Sequence, residues 1–134
     1  MSFFDILGVA STGMSAQRIR LSSISANLAN THTTRTDSGG PYQRQDVVFK
    51  QIMDGELKGG VKVTEVIKDE KPPILKYEPG HPDADEAGYV AYPNINPIEE
   101  MVNMLETTKS YEANTTVLST AKQLAMKALE LGKA

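Results

Sequence analysis

The stretch Asp83-Ala84-Asp85-Glu86-Ala87-Gly88 is the nearest thing in this sequence to a chemical site. Acids at the first and third positions and a glycine at the sixth match the opening of a calcium loop. The fifth position, Ala87, offers no side-chain ligand, and the twelfth is Asn94, where a bidentate carboxylate is required. The segment therefore reads as a solvated acidic turn. His81 stands beside Asp83 and Asp85, but neither it nor His32 belongs to a helical pair or to a zinc spacing. The chain has no cysteine, which removes disulfides, thiol nucleophiles and thiolate metal ligands together. No G-x-S-x-G elbow is present, and Gly39-Gly40 and Gly59-Gly60 lack the spacing of a phosphate loop and open no helix. Paired carboxylates for glycan hydrolysis need no motif and stay open on sequence grounds. The reading is a non-enzymatic protein with no catalytic, cofactor or metal residues.

Asn27-Leu28-Ala29-Asn30 is of a different kind. Two asparagines three apart close an apolar segment, where Asn adopts a left-handed cap or bonds the last helical carbonyls. That makes the pair a helix stop and a fixed joint between helix and loop.

The segment leading to it, residues 1–30, is expected to be one long helix. Ser2 with Asp5 three residues on forms a capping signal. Leu7, Ala10, Met14, Leu21, Ile24 and Leu28 fall at alternating steps of three and four, Gln17 being the one polar member, which is a heptad seam. A second stripe runs through Ile6, Val9, Gly13, Ala16, Ile19 and Ala26. The other end of the chain, residues 97–134, is a second long helix. It is opened by Asn96 as N-cap, Pro97 in the first turn and Glu99, with Gly132 expected just past its end. Its seam reads Met101, Met104, Thr108, Tyr111, Thr115, Leu118, Ala121, Ala125 and Ala128, broadened by Val102, Leu105, Leu124, Leu129 and Leu131. At 1.5 Å per residue these helices span roughly 40 and 50 Å, longer than a compact small domain. Each has more apolar face than one partner covers.

Between them, 31–96 changes character. Residues 31 to 95 hold six of the seven prolines and seven of the ten glycines. Thr31 to Pro41 reads as loop. Short strands are expected over Gln45–Ile52, Gly60–Ile67, Ile74–Tyr77 and Tyr89–Tyr92, the last two joined through Pro79-Gly80 and the acidic turn. The fold class is mainly α with a small β insertion: two long terminal helices packed as an antiparallel, coiled-coil-like pair with a β-rich module between them.

Composition is consistent with this frame. Hydrophobic residues make up 40% and charged residues 23%, with no Trp, three Phe and five Tyr, so the core is light and a lone monomer marginal. A net charge of −3 with scattered cations gives no reason for a nucleic-acid partner. No run approaches the roughly 18 apolar residues of a membrane span, so no membrane insertion is expected. The start, Met1-Ser2-Phe3-Phe4-Asp5, lacks the basic and apolar regions of a secretory signal, the first basic residue being Arg18. The expectation is a chain that stays in the cytoplasm or leaves by a route that reads no such signal.

Ser25-Ala26-Asn27-Leu28-Ala29-Asn30 followed by Thr31 resembles the N-terminal signature shared by flagellar rod and hook proteins. Lys109-Ser110-Tyr111-Glu112-Ala113-Asn114 resembles their C-terminal signature. Gly40-Pro41-Tyr42-Gln43, Val47-Val48-Phe49, Gly59-Gly60-Val61-Lys62-Val63, Tyr77-Glu78-Pro79-Gly80, Gly88-Tyr89-Val90 and Pro93-Asn94 lie between them in family order, so the likeness covers essentially the whole chain. Lys109 departs where the family usually has arginine, exchanging a planar fork for a point charge. The 31–39 loop has its own composition, and nothing is carried over to it.

The resemblance implies a structural subunit of the bacterial flagellar basal-body rod. Its terminal helices would form an inner helical domain and its middle a β-rich outer module. Copies would assemble with other flagellar rod proteins into a helical tube across the periplasm that transmits motor torque and walls the export channel. Passage through the flagellar type III export apparatus, without a cleaved signal peptide, is implied as well. On this reading the helix pair and the assembly interface use Ile6, Leu7, Ala10, Met14, Leu21, Ile24, Asn27, Leu28, Asn30, Met101, Met104, Leu105, Thr108, Tyr111, Asn114, Leu118, Ala121, Leu124, Ala125 and Ala128. The rival reading is a soluble helical export substrate or adaptor acting as a monomer or dimer.

Overall fold

A computed structural model describes residues 2–133. Two helices at the chain ends enclose four short strands in the order α1 (Phe3–Ala29), β1 (Gln45–Gln51), β2 (Val61–Lys68), β3 (Ile74–Tyr77), β4 (Tyr89–Tyr92) and α2 (Pro97–Gly132).

Both helices start where their caps predict. The Ser2 hydroxyl accepts from the Asp5 amide at 3.2 Å and the Asp5 carboxylate accepts from the Ser2 amide at 2.6 Å, a reciprocal capping box. These contacts to Ser2 hold the Asp5 carboxyl below its ordinary value. At α2, the Asn96 side chain accepts from the amides of Ile98 and Glu99, and Pro97 fills the first turn, where its missing donor costs nothing. The far end differs from expectation by one residue. Gly132 is the last helical residue rather than the one beyond it, and Lys133 caps in right-handed conformation with its amide bonding Glu130.

α1 and α2 pack as an antiparallel pair: Asn27 meets Glu100 at one end and Gly13 meets Asn114 further along. By these contacts Phe3 comes level with Leu124. The last turns of α2 therefore run on past the start of α1, as 36 helical residues against 27 require.

The middle segment forms two separate antiparallel hairpins, not one sheet. β1 pairs with β2 from Gln45↔Lys68 to Gln51↔Val61, with a bulge where Val48 faces Glu65 and Phe49 faces Val63. This hairpin lies along α1, on a face that α2 leaves free. The Thr12 hydroxyl accepts from the Val61 amide at 3.1 Å, and the Arg20 guanidinium stacks 4.0 Å above the Phe49 ring. Gly60 sits so close to α1 that a Cβ there would lie 2.7 Å from the Thr12 hydroxyl oxygen and 2.9 Å from the Leu57 carbonyl oxygen. β3 pairs with β4 from Ile74↔Tyr92 to Tyr77↔Tyr89. Its inner side, with Val90 fully buried, meets the loop after α1 through the edge contact of His32 with Tyr92.

Apolar burial is thin. Among the described residues of the two helices, Ala10, Ala16, Ile24 and Ala121 are the fully buried apolar ones, and Ile24 is the only large side chain of the four.

Candidate functional site

The acidic turn is occupied by the protein itself. Asp83 accepts from the Thr34 hydroxyl at 2.7 Å and pairs with the Arg35 guanidinium at 2.7 Å, so its oxygens tie the 31–42 loop to the β3–β4 turn. Asp85 caps the Tyr89 amide at 2.9 Å, and the ring Nδ1 of His81 accepts from the Asp83 amide at 3.0 Å. The segment is a turn held by side-chain-to-backbone bonds.

The densest polar construction lies where α1 ends. Asn27 is fully buried and uses both halves of its amide. Its Nδ2 donates to the Gln45 carbonyl at 2.9 Å and to Glu100 Oε2 at 3.2 Å, and its Oδ1 accepts from the Gln45 amide at 2.8 Å and the Tyr42 hydroxyl at 3.0 Å. The other Glu100 oxygen accepts from Nε of Arg44. Glu100 is only 1% exposed, so its charge survives out of water by this pairing. Burial works against the Arg44 charge, but the hydrogen bond and field of Glu100 outweigh it and raise the guanidinium above its ordinary value. Burial, and then the Glu100 charge, push the Tyr42 phenol up as well, which keeps it a neutral donor. Asn30 completes the joint by donating to the Ala26 carbonyl at 2.8 Å, and Thr31 bonds the carbonyls of Asn27 and Leu28. Asn30 has φ −104°, so it ends the helix by bonding carbonyls and not by a left-handed turn.

Three segments far apart in the chain thus meet at one point: the end of α1, the entry to β1 and the first turn of α2. Arg44 and Glu100 belong to none of the sequence motifs, and Tyr42 only to Gly40-Pro41-Tyr42-Gln43. The available signal was Glu100 itself, which stands one and two turns before Met104 and Thr107 on the same stripe.

The expected interface residues fall into three groups. Ala10, Ile24, Asn27 and Ala121 are buried. Ile6, Leu7, Met14, Leu21, Leu28, Asn30, Met104, Thr108, Tyr111, Asn114, Leu118 and Ala125 are half-buried between the elements. Met101, Leu105, Leu124 and Ala128 face outward. The stripe of α2 turned to α1 runs Glu100, Met104, Thr107, Tyr111, Asn114, Leu118, Ala121 and Ala125, in alternating steps of four and three. It shares Met104, Tyr111, Leu118, Ala121 and Ala125 with the apolar pattern and departs by one residue at Met101, Thr108 and Thr115, where polar Glu100, Thr107 and Asn114 take the inward places. Beside it, Ile6, Val9, Gly13, Phe49, Val61 and Val117 line an open groove of about 300 Å³.

What stays uncovered is large. On α2, Ile98, Met101, Val102 and Leu105 near the start and Leu124, Met126, Leu129 and Leu131 near the end are all about half exposed or more, Leu131 reaching 80%. Such surface on so small a chain marks contact with other molecules. Among the described residues no helix is long and apolar enough to cross a membrane.

Comparison with known proteins gives the class. Residues 7–35 match the family described as flagella basal body rod protein, and residues 86–131 match the C-terminal family of flagellar basal body rod FlgEFG proteins. The chain belongs to the flagellar basal-body rod protein family. Within it, the full-length likeness is to FlgC. The flagellar basal-body rod protein FlgC of Borreliella burgdorferi is 41% identical, covering 98% of each chain. That of Escherichia coli O6:H1 is 41% identical over 99% of this chain and 100% of its own, and that of Bacillus subtilis is 39% identical over the same shares. The protein is a structural component of the basal-body rod and not an enzyme.

Proposed function

We propose that this subunit assembles with copies of itself and with other flagellar rod proteins into a helical tube, its helix pair on the inside and its two hairpins outward. The tube carries motor torque across the periplasm, and its inner wall bounds the export channel. Residues 1–30 and 97–134 form the inner domain and 31–96 the outer module. The observation that carries this reading is the uncovered apolar surface of α2, from Ile98 to Leu105 and from Leu124 to Leu131. A surface of this kind is buried only by neighbours. Its two patches sit at opposite ends of one helix, a placement that suits head-to-tail contact and an open assembly.

The subunit reaches its place through the flagellar type III export apparatus with no cleaved signal. A light core without disulfides supports this, because such a chain unfolds readily for passage through a narrow channel.

The test is Leu105→Asp. Leu105 is 62% exposed, so the purified variant should keep its helicity and melting temperature while swimming is lost. Normal swimming overturns the docking role of this face. Circular dichroism and limited proteolysis of the purified chain test the competing adaptor reading, which requires helices fully formed and protease-resistant in a lone monomer.

A further inference from the structure

We propose that the buried polar cluster of Asn27, Arg44 and Glu100 is a register lock: it holds the helix pair in an alignment that apolar burial alone would not select. The seam is built of residues that tolerate sliding. Gly13 packs against Asn114, a Cβ on it lying 2.9 Å from the Asn114 Nδ2, and Ala10 and Ala121 are buried nearby. Shifting α2 by seven residues, about 10 Å along the axis, preserves the heptad phase. Gly13 would then meet Ala121, and Asn27 would meet Thr107, another small buried residue. The slide would also draw the start of α1 beneath the last turns of α2, covering Ala128 and part of Leu129, which is 68% exposed in the observed alignment. The same slide carries half-buried Met104 past the end of α1 and uncovers it, so apolar burial alone does not select between the two alignments.

The polar cluster opposes it. Slipping would strip Glu100 of Asn27 and Arg44 and leave Gln45 and Tyr42 facing an asparagine that has moved away from its carboxylate. A buried polar group fixing the register of a helix pair, at some cost in stability, is a known physical device. Here its effect is to keep the end of α2 uncovered. The lock stands on the contacts within one chain. Its use in leaving that end free for neighbours rests on the rod reading above.

The absence of cysteine makes the alignment directly measurable. In the full-length chain, Gly13→Cys with Asn114→Cys reports the observed register, and Gly13→Cys with Ala121→Cys reports the slipped one, since two cysteines seven residues out of step are too distant to bridge. With Arg44 and Glu100 intact, oxidation should close the first pair nearly completely and the second scarcely at all. In the R44M/E100M background the second pair should appear in substantial yield beside the first, with the melting temperature unchanged or raised. E100Q, which keeps the size but offers one acceptor oxygen where Asn27 and Arg44 both donate, should give an intermediate ratio of the two products. A parent that fails to close the first pair, an R44M/E100M chain that keeps the parent pattern, or one that loses its helices, overturns the lock. Swimming is scored separately: a switched cross-link with normal swimming leaves the lock standing and overturns the docking role of the α2 end.

Discussion

Asn27 and Glu100, 73 positions apart, meet through a 3.2 Å hydrogen bond between side chains that are 0% and 1% exposed. Each is the other's protection from a dry environment. Asn27 also serves Gln45 and Tyr42, so its removal leaves several polar groups without partners at once.

Asn27→Leu should therefore destabilise the purified chain by about 2–4 kcal/mol, since each stranded buried group costs about 1–3 kcal/mol with partial relaxation. Urea unfolding followed by circular dichroism measures it. A loss below about 1 kcal/mol would mean the joint contributes little.

Arg44→Met as a single change should be worse than R44M/E100M, because it buries the Glu100 charge unpaired. Losing one partner of such a pair costs about 3–5 kcal/mol, whereas replacing both with apolar groups is often neutral or better. Unfolding curves of the two variants side by side decide the order.

Alkaline stability has a definite sign. The Tyr42 phenol is raised in the folded state, so the neutral form is the one that folding favours. Its contribution is complete below the ordinary tyrosine value of about 10 and is lost as pH rises through the folded value. Stability should be flat from neutral pH to about 10 and fall above it, with a shallower fall in Tyr42→Phe. An equal slope in that variant would remove Tyr42 as the source. Asp5 has the opposite sign. Its lowered carboxyl contributes above the ordinary value near 4 and ceases to as pH falls through the folded value, so Ser2→Ala should flatten part of the acid limb.

Two glycines separate two kinds of close approach. Gly60→Ala would press a methyl group on the Thr12 hydroxyl of α1 and on the Leu57 carbonyl of its own hairpin, and should cost about 1–3 kcal/mol by lifting the hairpin from α1. Gly13→Ala meets only the movable end of Asn114 and should be milder. Equal losses in thermal melts would show that the hairpin contact is as soft as the helix contact.

Asp83→Ala should lower stability by no more than about 1 kcal/mol, its ion pair being with Arg35, which is 74% exposed. Near-normal swimming is expected. A severe motility defect would point to a role for the acidic turn beyond holding the loop.

Much of this architecture was legible in the residues. Both helix starts follow from Ser2, Asp5, Asn96 and Pro97, whose side chains act locally and need no tertiary knowledge. All four strands fall where alternation and the prolines and glycines place them, Gln45 and Tyr89 at their expected starts. The inward stripe of α2 was legible at Met104 and Tyr111 and from Leu118 onward, where apolar and small residues fill it. At Glu100, Thr107 and Asn114 the inward residue is polar, and a reading that ranks positions by hydrophobicity moves one residue along to Met101, Thr108 and Thr115. What turns Glu100 inward is Arg44 and Asn27, both remote in sequence, so no local pattern contains the answer. The same limit applies to the hairpins. Strand segments can be read locally, but that β1–β2 and β3–β4 stay two separate sheets depends on which surfaces α1 and the 31–42 loop offer them.

The helix pair is made from the two extremities of the chain, and this has a consequence in time. The hairpins close from neighbouring residues and need little chain to form. The α1–α2 pair must wait until almost every residue is available, whichever extremity comes free first, since Asn27 has no partner until Glu100 arrives. Closing so long a loop is slow compared with forming a hairpin. A chain whose two extremities have not yet met has no finished helix pair, so the inward stripe of α2 from Glu100 to Ala125 is the last surface to be covered.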